Sequence, residues 1–99
     1  MNPLKEEVVL EQGSFYIIKD NGDYWILEDK TKRGLNVLKV EDREGIKEEK
    51  GRIYDSQGKG YWVTIRWYFP KSLNYQEVKR RAHEMEERYR KIREETCPG

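Results

Sequence analysis

The sequence is poor in the residue types that build disulfides, metal centres and membrane spans. Its 99 residues include one Cys, one His and a single Ala. The one cysteine, Cys97, excludes an internal disulfide and a cysteine zinc cluster, and we expect it to be an exposed free thiol. No apolar run approaches the about 18 residues of a membrane-spanning helix, and the opening MNPLKEEVVL lacks the apolar core of a signal peptide. We therefore expect a cytoplasmic protein without a membrane partner.

Charged residues outnumber apolar ones, since 39% of the chain is Asp, Glu, Lys or Arg and 35% is hydrophobic, yet the net charge is only +1. Aromatic residues make up 12% of the chain, and because each buries a large area, a few of them can form a small core. The length predicts one domain over residues 1–99. The balanced charge argues against a dedicated polyanion-binding protein, because nucleic-acid binding usually shows a clear basic stripe.

Residues 14–29, SFYIIKDNGDYWILED, predict a β-hairpin. The dipeptide Asn21-Gly22 favours a type I′ turn, in which both central residues have positive φ. A two-residue loop at this dipeptide would place Ile18 opposite Trp25. Both faces of the hairpin are then apolar, so we expect other parts of the protein to cover both of them.

Further segments complete the predicted sheet. Residues 5–12 predict a short first strand, and residues 35–41 predict a third strand after the first hairpin. Residues 42–51 are charged and contain two glycines, which indicates a loop or a short helical turn. Residues 52–69 predict a second hairpin with a glycine-containing turn of about five residues, and Pro70 ends its second strand.

The hydrophobic period becomes helical over residues 74–96, where Asn74 is a good N-cap residue. Apolar residues then recur at alternating spacings of three and four, forming a heptad seam: Tyr75, Val78, Ala82, Met85, Tyr89 and Ile92. The seam is narrow, and the helix is long for a chain of this size. Two arrangements stay open. Either the whole helix packs along its own sheet, or its second half, at Met85, Tyr89 and Ile92, meets a second copy of the chain.

These segments together predict an α+β fold. A strongly bent antiparallel sheet of four or five strands, built from two hairpins over about residues 5–70, precedes one long amphipathic helix over about residues 74–96. A chain of this length is near the size at which oligomers often help to bury a core, so we expect a homodimer.

No residue pattern predicts catalysis or a bound cofactor. His83, the only histidine, has Glu87 one helical turn further on, but a stable metal site needs three or four ligands, so we expect a solvated histidine. The GKG at residues 58–60 fits a hairpin turn and lacks the spacing of a phosphate-binding loop. We therefore expect no cofactor, no metal and no enzymatic activity, with an enzyme of unknown reaction as the least favoured function.

The stretch KGYWVTIRWYFP, residues 59–70, concentrates the aromatic residues of the second hairpin. Strict alternation predicts one uniformly apolar face, which we expect to be the core under the helix: Tyr61, Val63, Ile65, Trp67 and Phe69. The other face carries Trp62 and Tyr68 on either side of Arg66, with Lys59 close by. A guanidinium between aromatic rings can bind a peptide or a nucleic acid, but a second core layer or a dimer face, with Arg66 paired to an acid, is the favoured interpretation.

Two resemblances accompany these patterns. The abundance of Lys and Glu, the single alanine and the content of Tyr and Ile resemble the small orphan proteins of hyperthermophilic archaeal viruses. That resemblance implies a thermostable viral protein in the host cytoplasm. The segment GRIYDSQGKGYWVTIRWYFP, residues 51–70, resembles the strand–turn–strand core of SH3-like chromo and bromo-adjacent-homology modules. A C-terminal helix follows this core in chromo modules, and the resemblance carries over no ligand-binding residues.

The sequence thus favours a small binding or regulatory protein that acts through protein–protein contacts, with itself and with an unidentified protein. The alternative is a nucleic-acid-binding protein that uses an aromatic and basic sheet face, with Trp62, Arg66, Tyr68 and Lys59 as the candidate binding residues.

Overall fold

Six strands and one long helix follow one another along residues 6–96, the part of the chain that the computed structural model describes. The strands are β1 (Val8–Gln12), β2 (Tyr16–Asp20), β3 (Tyr24–Asp29), β4 (Lys39–Arg43), β5 (Ile46–Tyr54) and β6 (Gly60–Pro70). They form one antiparallel sheet in the order β1-β2-β3-β6-β5-β4, and helix α1 (Tyr75–Thr96) follows. The α+β class is confirmed, but the sheet has six strands and not the predicted four or five. Cys97 lies outside the described residues.

The additional strands come from a hairpin within residues 39–54, part of which the sequence predicts as a loop. Strand β4 and the first half of β5 form a hairpin with a tight two-residue turn, next to which Arg43 pairs with Ile46. The two turn residues, Glu44 and Gly45, have φ values of 54° and 82°, as a type I′ turn requires. Glutamate rarely occupies positive φ, and charged side chains fill both strands, so the usual signals of a hairpin are missing here.

The first hairpin forms with a turn one residue later than predicted. Ile18 pairs with Leu27 and not with Trp25, which centres the loop on residues 22–23. The Asn21 side chain explains the shift, because its Oδ1 accepts hydrogen bonds from the two backbone N–H groups after the turn glycine, at 3.0 and 2.8 Å. The pairing moves by an even number of residues, so the same side chains still share a face.

Helix α1 packs over β2 and β3 and not over the β4–β5 side of the sheet. It starts as predicted, because the Asn74 side chain accepts a hydrogen bond from the Gln76 backbone N–H at 2.9 Å. The core between helix and sheet contains Val78, Ala82 and Met85 of the predicted seam. Four buried strand residues complete it: Tyr16, Ile18, Leu27 and Phe69. Within residues 6–96, the helix therefore leaves most of the helix-side face of β4 and β5 uncovered, although Ile46 at the start of β5 packs against the core.

The sheet face away from the helix is crossed by residues 33–38, which connect β3 to β4. Leu35 and Asn36 of this segment lie against Gly51 of β5. A Cβ atom added at Gly51 would come within 2.8 Å of the Asn36 carbonyl oxygen and 3.0 Å of Ile65. The crossing segment can therefore approach the sheet only because residue 51 has no side chain.

Two buried carboxylates fasten the helix to the end of the sheet. Glu86, 9% exposed, accepts a hydrogen bond from the Phe15 backbone N–H at 3.1 Å. Asp29, 3% exposed, accepts hydrogen bonds from the Tyr89 hydroxyl at 2.5 Å and the Thr31 backbone N–H at 2.9 Å. Since unsatisfied buried carboxylates would be costly, these contacts fix where the second half of the helix lies.

We expect the substitution Gly51→Ala to lower the free energy of unfolding by about 1–3 kcal/mol, because its methyl group overlaps the backbone of the crossing segment. Gly60→Ala is the matched control, since the three atoms nearest to an added Cβ there all belong to the Arg52 side chain, which can move. We expect that control to change stability by less than about 0.5 kcal/mol. Urea unfolding followed by circular dichroism measures both variants, and equal losses would contradict the packing described for residues 33–38.

Candidate binding surface

A β-bulge in β6 determines which side chains of the aromatic strand share a face. Glu49 of β5 pairs with Arg66, and the next residue of β5, Lys50, pairs with Thr64. Ile65 is therefore an extra residue on β6, and it is buried, at 3% exposure. A bulge of this kind reverses the alternation of side chains on the far side of the extra residue and increases the local twist.

The predicted alternation fails across this bulge. Trp67 pairs with Glu48, and the Thr64 hydroxyl donates a hydrogen bond to the same Glu48 carboxylate at 2.9 Å. Thr64 and Trp67 therefore share the helix-side face although their sequence separation is odd. Trp62 lies two residues before Thr64 and belongs to this face as well.

The four candidate binding residues consequently fall in three places. Trp62 is on the helix side of the sheet, Arg66 and Tyr68 are on the opposite side, and Lys59 lies in the hairpin turn. The prediction that Trp62, Arg66 and Tyr68 form one face is wrong, because strict alternation does not hold through a bulge. Their roles in binding stay predictions.

The outer part of the β5–β6 hairpin projects beyond its neighbouring strands. Strand β3 pairs with β6 only as far as Arg66, and β4 pairs with β5 only as far as Lys50. We call the projecting residues 52–62 the arm. Its large apolar side chains are exposed on both faces: Ile53 38%, Tyr54 67%, Tyr61 43% and Trp62 43%.

Trp62 is flanked by two cations on the arm's helix-side face. Lys39 Nζ lies 4.0 Å from the centre of the indole ring, and Arg52 Cζ lies 4.7 Å from it. The Arg52 guanidinium is also 5.9 Å from the Tyr54 ring. These are cation–π distances, at which the cations stabilise an exposed indole. Sequence analysis misses Lys39, Arg52 and Tyr54, although the five-residue hairpin turn already places Arg52 opposite Trp62.

The arm's turn, residues 55–59, is held by one side chain. Asp55 Oδ1 accepts hydrogen bonds from the backbone N–H groups of Gln57 and Lys59, both at 2.9 Å. The backbone hydrogen bond from Lys59 is the main reason that the pKa of Asp55 lies below its usual range. Lys59 Nζ is 5.4 Å from the centre of the Tyr61 ring. The tip of the arm is thus an ordered turn that presents a lysine beside an aromatic ring.

Arg66 and Tyr68 share one carboxylate on the face away from the helix. Glu49 Oε1 accepts hydrogen bonds from Arg66 Nε at 2.6 Å and from the Tyr68 hydroxyl at 3.0 Å. Burial, followed by the hydrogen bond to Glu49, raises the pKa of Tyr68 to about 12. The Tyr68 ring also meets the Tyr24 ring edge to face, with centroids 5.9 Å apart. Arg66 and Tyr68 are therefore engaged with their own sheet.

The structure separates the three candidate oligomer residues of the helix. Met85 is 3% exposed and lies in the core beneath the helix. Tyr89 packs against this core and donates its hydroxyl hydrogen to Asp29. Ile92 is 53% exposed. Most of the seam therefore packs within the chain, and contact of the helix with a second copy stays a prediction.

Residues 6–96 contain no group of three or more His, Cys, Asp or Glu side chains placed to hold a metal ion. The His83 Nε2 atom lies 3.1 Å from Glu11 of β1, so the carboxylate that it contacts is Glu11 and not Glu87. Within the same residues, no helix is both long enough and apolar enough to cross a membrane.

Comparison with known proteins gives no relative. No protein-family model, no curated protein and no solved structure matches the chain.

The raised pKa of Tyr68 predicts a loss of stability at high pH. A tyrosine that titrates near 10 when unfolded and at about 12 when folded contributes stability that is complete below pH 10 and is lost as the pH rises through about 12. We expect Tyr68→Phe to unfold with a shallower pH dependence than the wild type between pH 10 and 12. Urea unfolding at several pH values in this window measures it.

Glu49→Gln is the companion variant, because it keeps the Tyr68 hydroxyl but removes the charge that accepts its hydrogen bond. We expect an intermediate pH dependence from this variant. Identical slopes for the wild type and Tyr68→Phe would contradict the network.

Proposed function

We propose that this chain is a non-enzymatic binding protein that acts through protein–protein contacts, and that a second copy of the chain is its first partner. The arm carries this proposal. It concentrates exposed Tyr, Trp and Ile side chains on the outer parts of β5 and β6, beyond the ends of β3 and β4. Contiguous exposed apolar side chains of this kind mark interaction sites on soluble proteins.

The composition of the arm fits a protein partner. Tyr, Trp and Arg are the residues that most often dominate the energy of protein interfaces, and the arm contains Tyr54, Tyr61, Trp62 and Arg52. The stacking of Arg52 on the Trp62 ring, at 4.7 Å, restricts both side chains before any partner arrives. Such preorganisation lowers the entropy cost of association.

A second copy of the chain is a suitable occupant of this surface. The net charge of +1 leaves little repulsion between two copies. Apolar side chains on both faces of the arm allow it to be enclosed by a matching arm, and two-fold symmetric homodimers are the commonest oligomers. Each copy would then cover the exposed aromatic residues of the other.

We expect the wild-type chain to sediment as a dimer and Trp62→Ala to weaken the dimer at least tenfold, which is about 1.4 kcal/mol or more. Tyr54→Ala should act in the same direction. Analytical ultracentrifugation over a concentration series measures the dissociation constants.

Leu10→Ser serves as the control for that experiment, because Leu10 is 44% exposed on β1, at the far edge of the sheet. It should dimerise like the wild type. A monomeric wild type, or a dimer that responds to Leu10→Ser and not to Trp62→Ala, would contradict dimerisation through the arm.

Nucleic-acid binding is the second candidate, and the cations around Trp62 favour it. Lys39, Lys50 and Arg52 follow one another across the helix-side face next to this exposed indole. An aromatic ring within a line of cations can stack a base while the cations contact phosphates. Their neighbour Glu41 argues against it, because it forms ion pairs with Lys39 at 2.8 Å and Lys50 at 3.3 Å.

A salt series separates the two candidate functions. If the chain binds nucleic acid, its affinity for labelled single-stranded DNA should fall steeply as the salt concentration rises, because displaced counterions drive such binding. If it is a protein-binding module only, no such binding should be measured at physiological salt, and dimerisation should depend little on salt.

A further inference from the structure

A concave notch lies where helix α1 meets the uncovered side of the sheet. Its floor is formed by Trp67 and Phe69 of β6, and its wall by Arg81, Glu84 and Arg88 of the helix. It encloses about 220 Å³. This volume is below the about 300–1,000 Å³ of pockets that enclose drug-sized ligands, so a larger ligand would place one group in the notch and extend over the surface beside it. It is separate from the arm.

The wall of the notch carries more positive charge than its carboxylates neutralise. Arg80, which points away from the notch lining, forms ion pairs with both Glu77 and Glu84. Arg81 also forms an ion pair with Glu77, with its Nε 3.4 Å from the Glu77 Oε1. Within residues 6–96, Arg88 has no carboxylate partner. Arg80 therefore takes up the carboxylates that would otherwise neutralise the two arginines of the notch.

The two notch arginines are placed for one ligand. Arg81 and Arg88 are seven residues apart, which is two helical turns and brings both to the same side of the helix. The Arg81 guanidinium lies over the Phe69 ring at 5.5 Å, which directs it towards the sheet. Trp67, which lines the same notch, is half-buried and offers an aromatic surface.

The floor carboxylate next to the notch is already neutralised. Glu48 pairs with Trp67 across the sheet and is 7% exposed. It accepts a hydrogen bond from Thr64 and lies within 3.8 Å of Lys50 and 3.7 Å of Arg43. An anion in the notch therefore meets two guanidinium groups without facing an unpaired carboxylate.

We propose that this notch binds the phosphate of a nucleotide, with Arg81 and Arg88 on the phosphate oxygens and the base against Trp67. Guanidinium groups match phosphate oxygens in bidentate geometry, and an indole stacks on any base. The phosphate and base can come from a free mononucleotide or from one nucleotide of a single strand, because the notch is open at the surface, where Arg81, Glu84 and Arg88 are exposed.

Tryptophan fluorescence tests this site in the full-length chain with Trp62→Phe as background, so that the arm does not contribute. We expect AMP to quench the emission and adenosine, which has no phosphate, to leave it unchanged at the same concentrations. Inorganic phosphate should compete with AMP. We expect Arg88→Gln and Arg81→Gln each to weaken AMP binding at least tenfold, since each removes one charged partner of the phosphate.

Arg90→Gln is the matched control, because Arg90 lies on the exposed helix surface near Glu87 and does not line the notch. It should bind AMP like the background protein. The proposal is overturned if AMP does not quench the emission, if adenosine quenches it equally, or if Arg90→Gln weakens AMP binding as much as Arg88→Gln does.

A short oligothymidylate identifies the source of the nucleotide. Tighter binding of the oligonucleotide than of thymidine monophosphate, lost in Arg88→Gln, supports a strand as the natural source. Equal affinity, also lost in Arg88→Gln, supports a free mononucleotide. Oligonucleotide binding that is unaffected by Arg81→Gln and Arg88→Gln would contradict the site.

Discussion

The extra residue Ile65 in β6 is the constraint on which the two candidate surfaces depend. It is buried against Gly51 and the crossing segment, and this packing fixes the position of the bulge. Beyond it the alternation reverses, so that Trp62 joins Trp67 on the helix side and separates from Arg66. The arm projects beyond the bulge because β3 and β4 end before it. Without this one residue, the arm would present its indole to the other face.

The position of the helix is the second constraint on the candidate surfaces, because the two flanks of the helix contact different parts of the sheet. On the β1 side, His83 and Lys79 both lie close to Glu11, at 3.1 and 3.6 Å, and Glu86 holds the backbone of Phe15. The other flank borders the uncovered part of the sheet. A narrow apolar seam can cover only a narrow strip of sheet. The helix therefore leaves the notch beside Trp67 open. A helix with a wider apolar seam would cover it.

The sequence predicts the elements that local signals specify. The helix with its Asn74 cap, the second hairpin with its five-residue turn and the inward seam all follow from spacing within a single segment. The bulge cannot be predicted in this way, because its position depends on which residues of β5 pair with β6. The sequence does not predict the turn at Glu44, because positive φ is unusual for glutamate. Trp62 was identified as a candidate, but its partner Lys39 belongs to a strand whose pairing no local pattern reveals.

The two surfaces differ in what they can bind because their charges are arranged differently. On the arm, cations already stack on the aromatic rings, so a partner gains mainly from covering apolar area. In the notch, two guanidinium groups lie beside an aromatic floor with their carboxylates taken up by Arg80, so a partner gains mainly from negative charge. A run of ion pairs joins the two surfaces, from Glu48 below Trp67 through Lys50 and Glu41 to Lys39 beside Trp62. These pairs lie on the helix-side face of β4 and β5, next to the Trp62 and Trp67 side chains of β6, so the notch and the indole of the arm lie on the same side of the sheet.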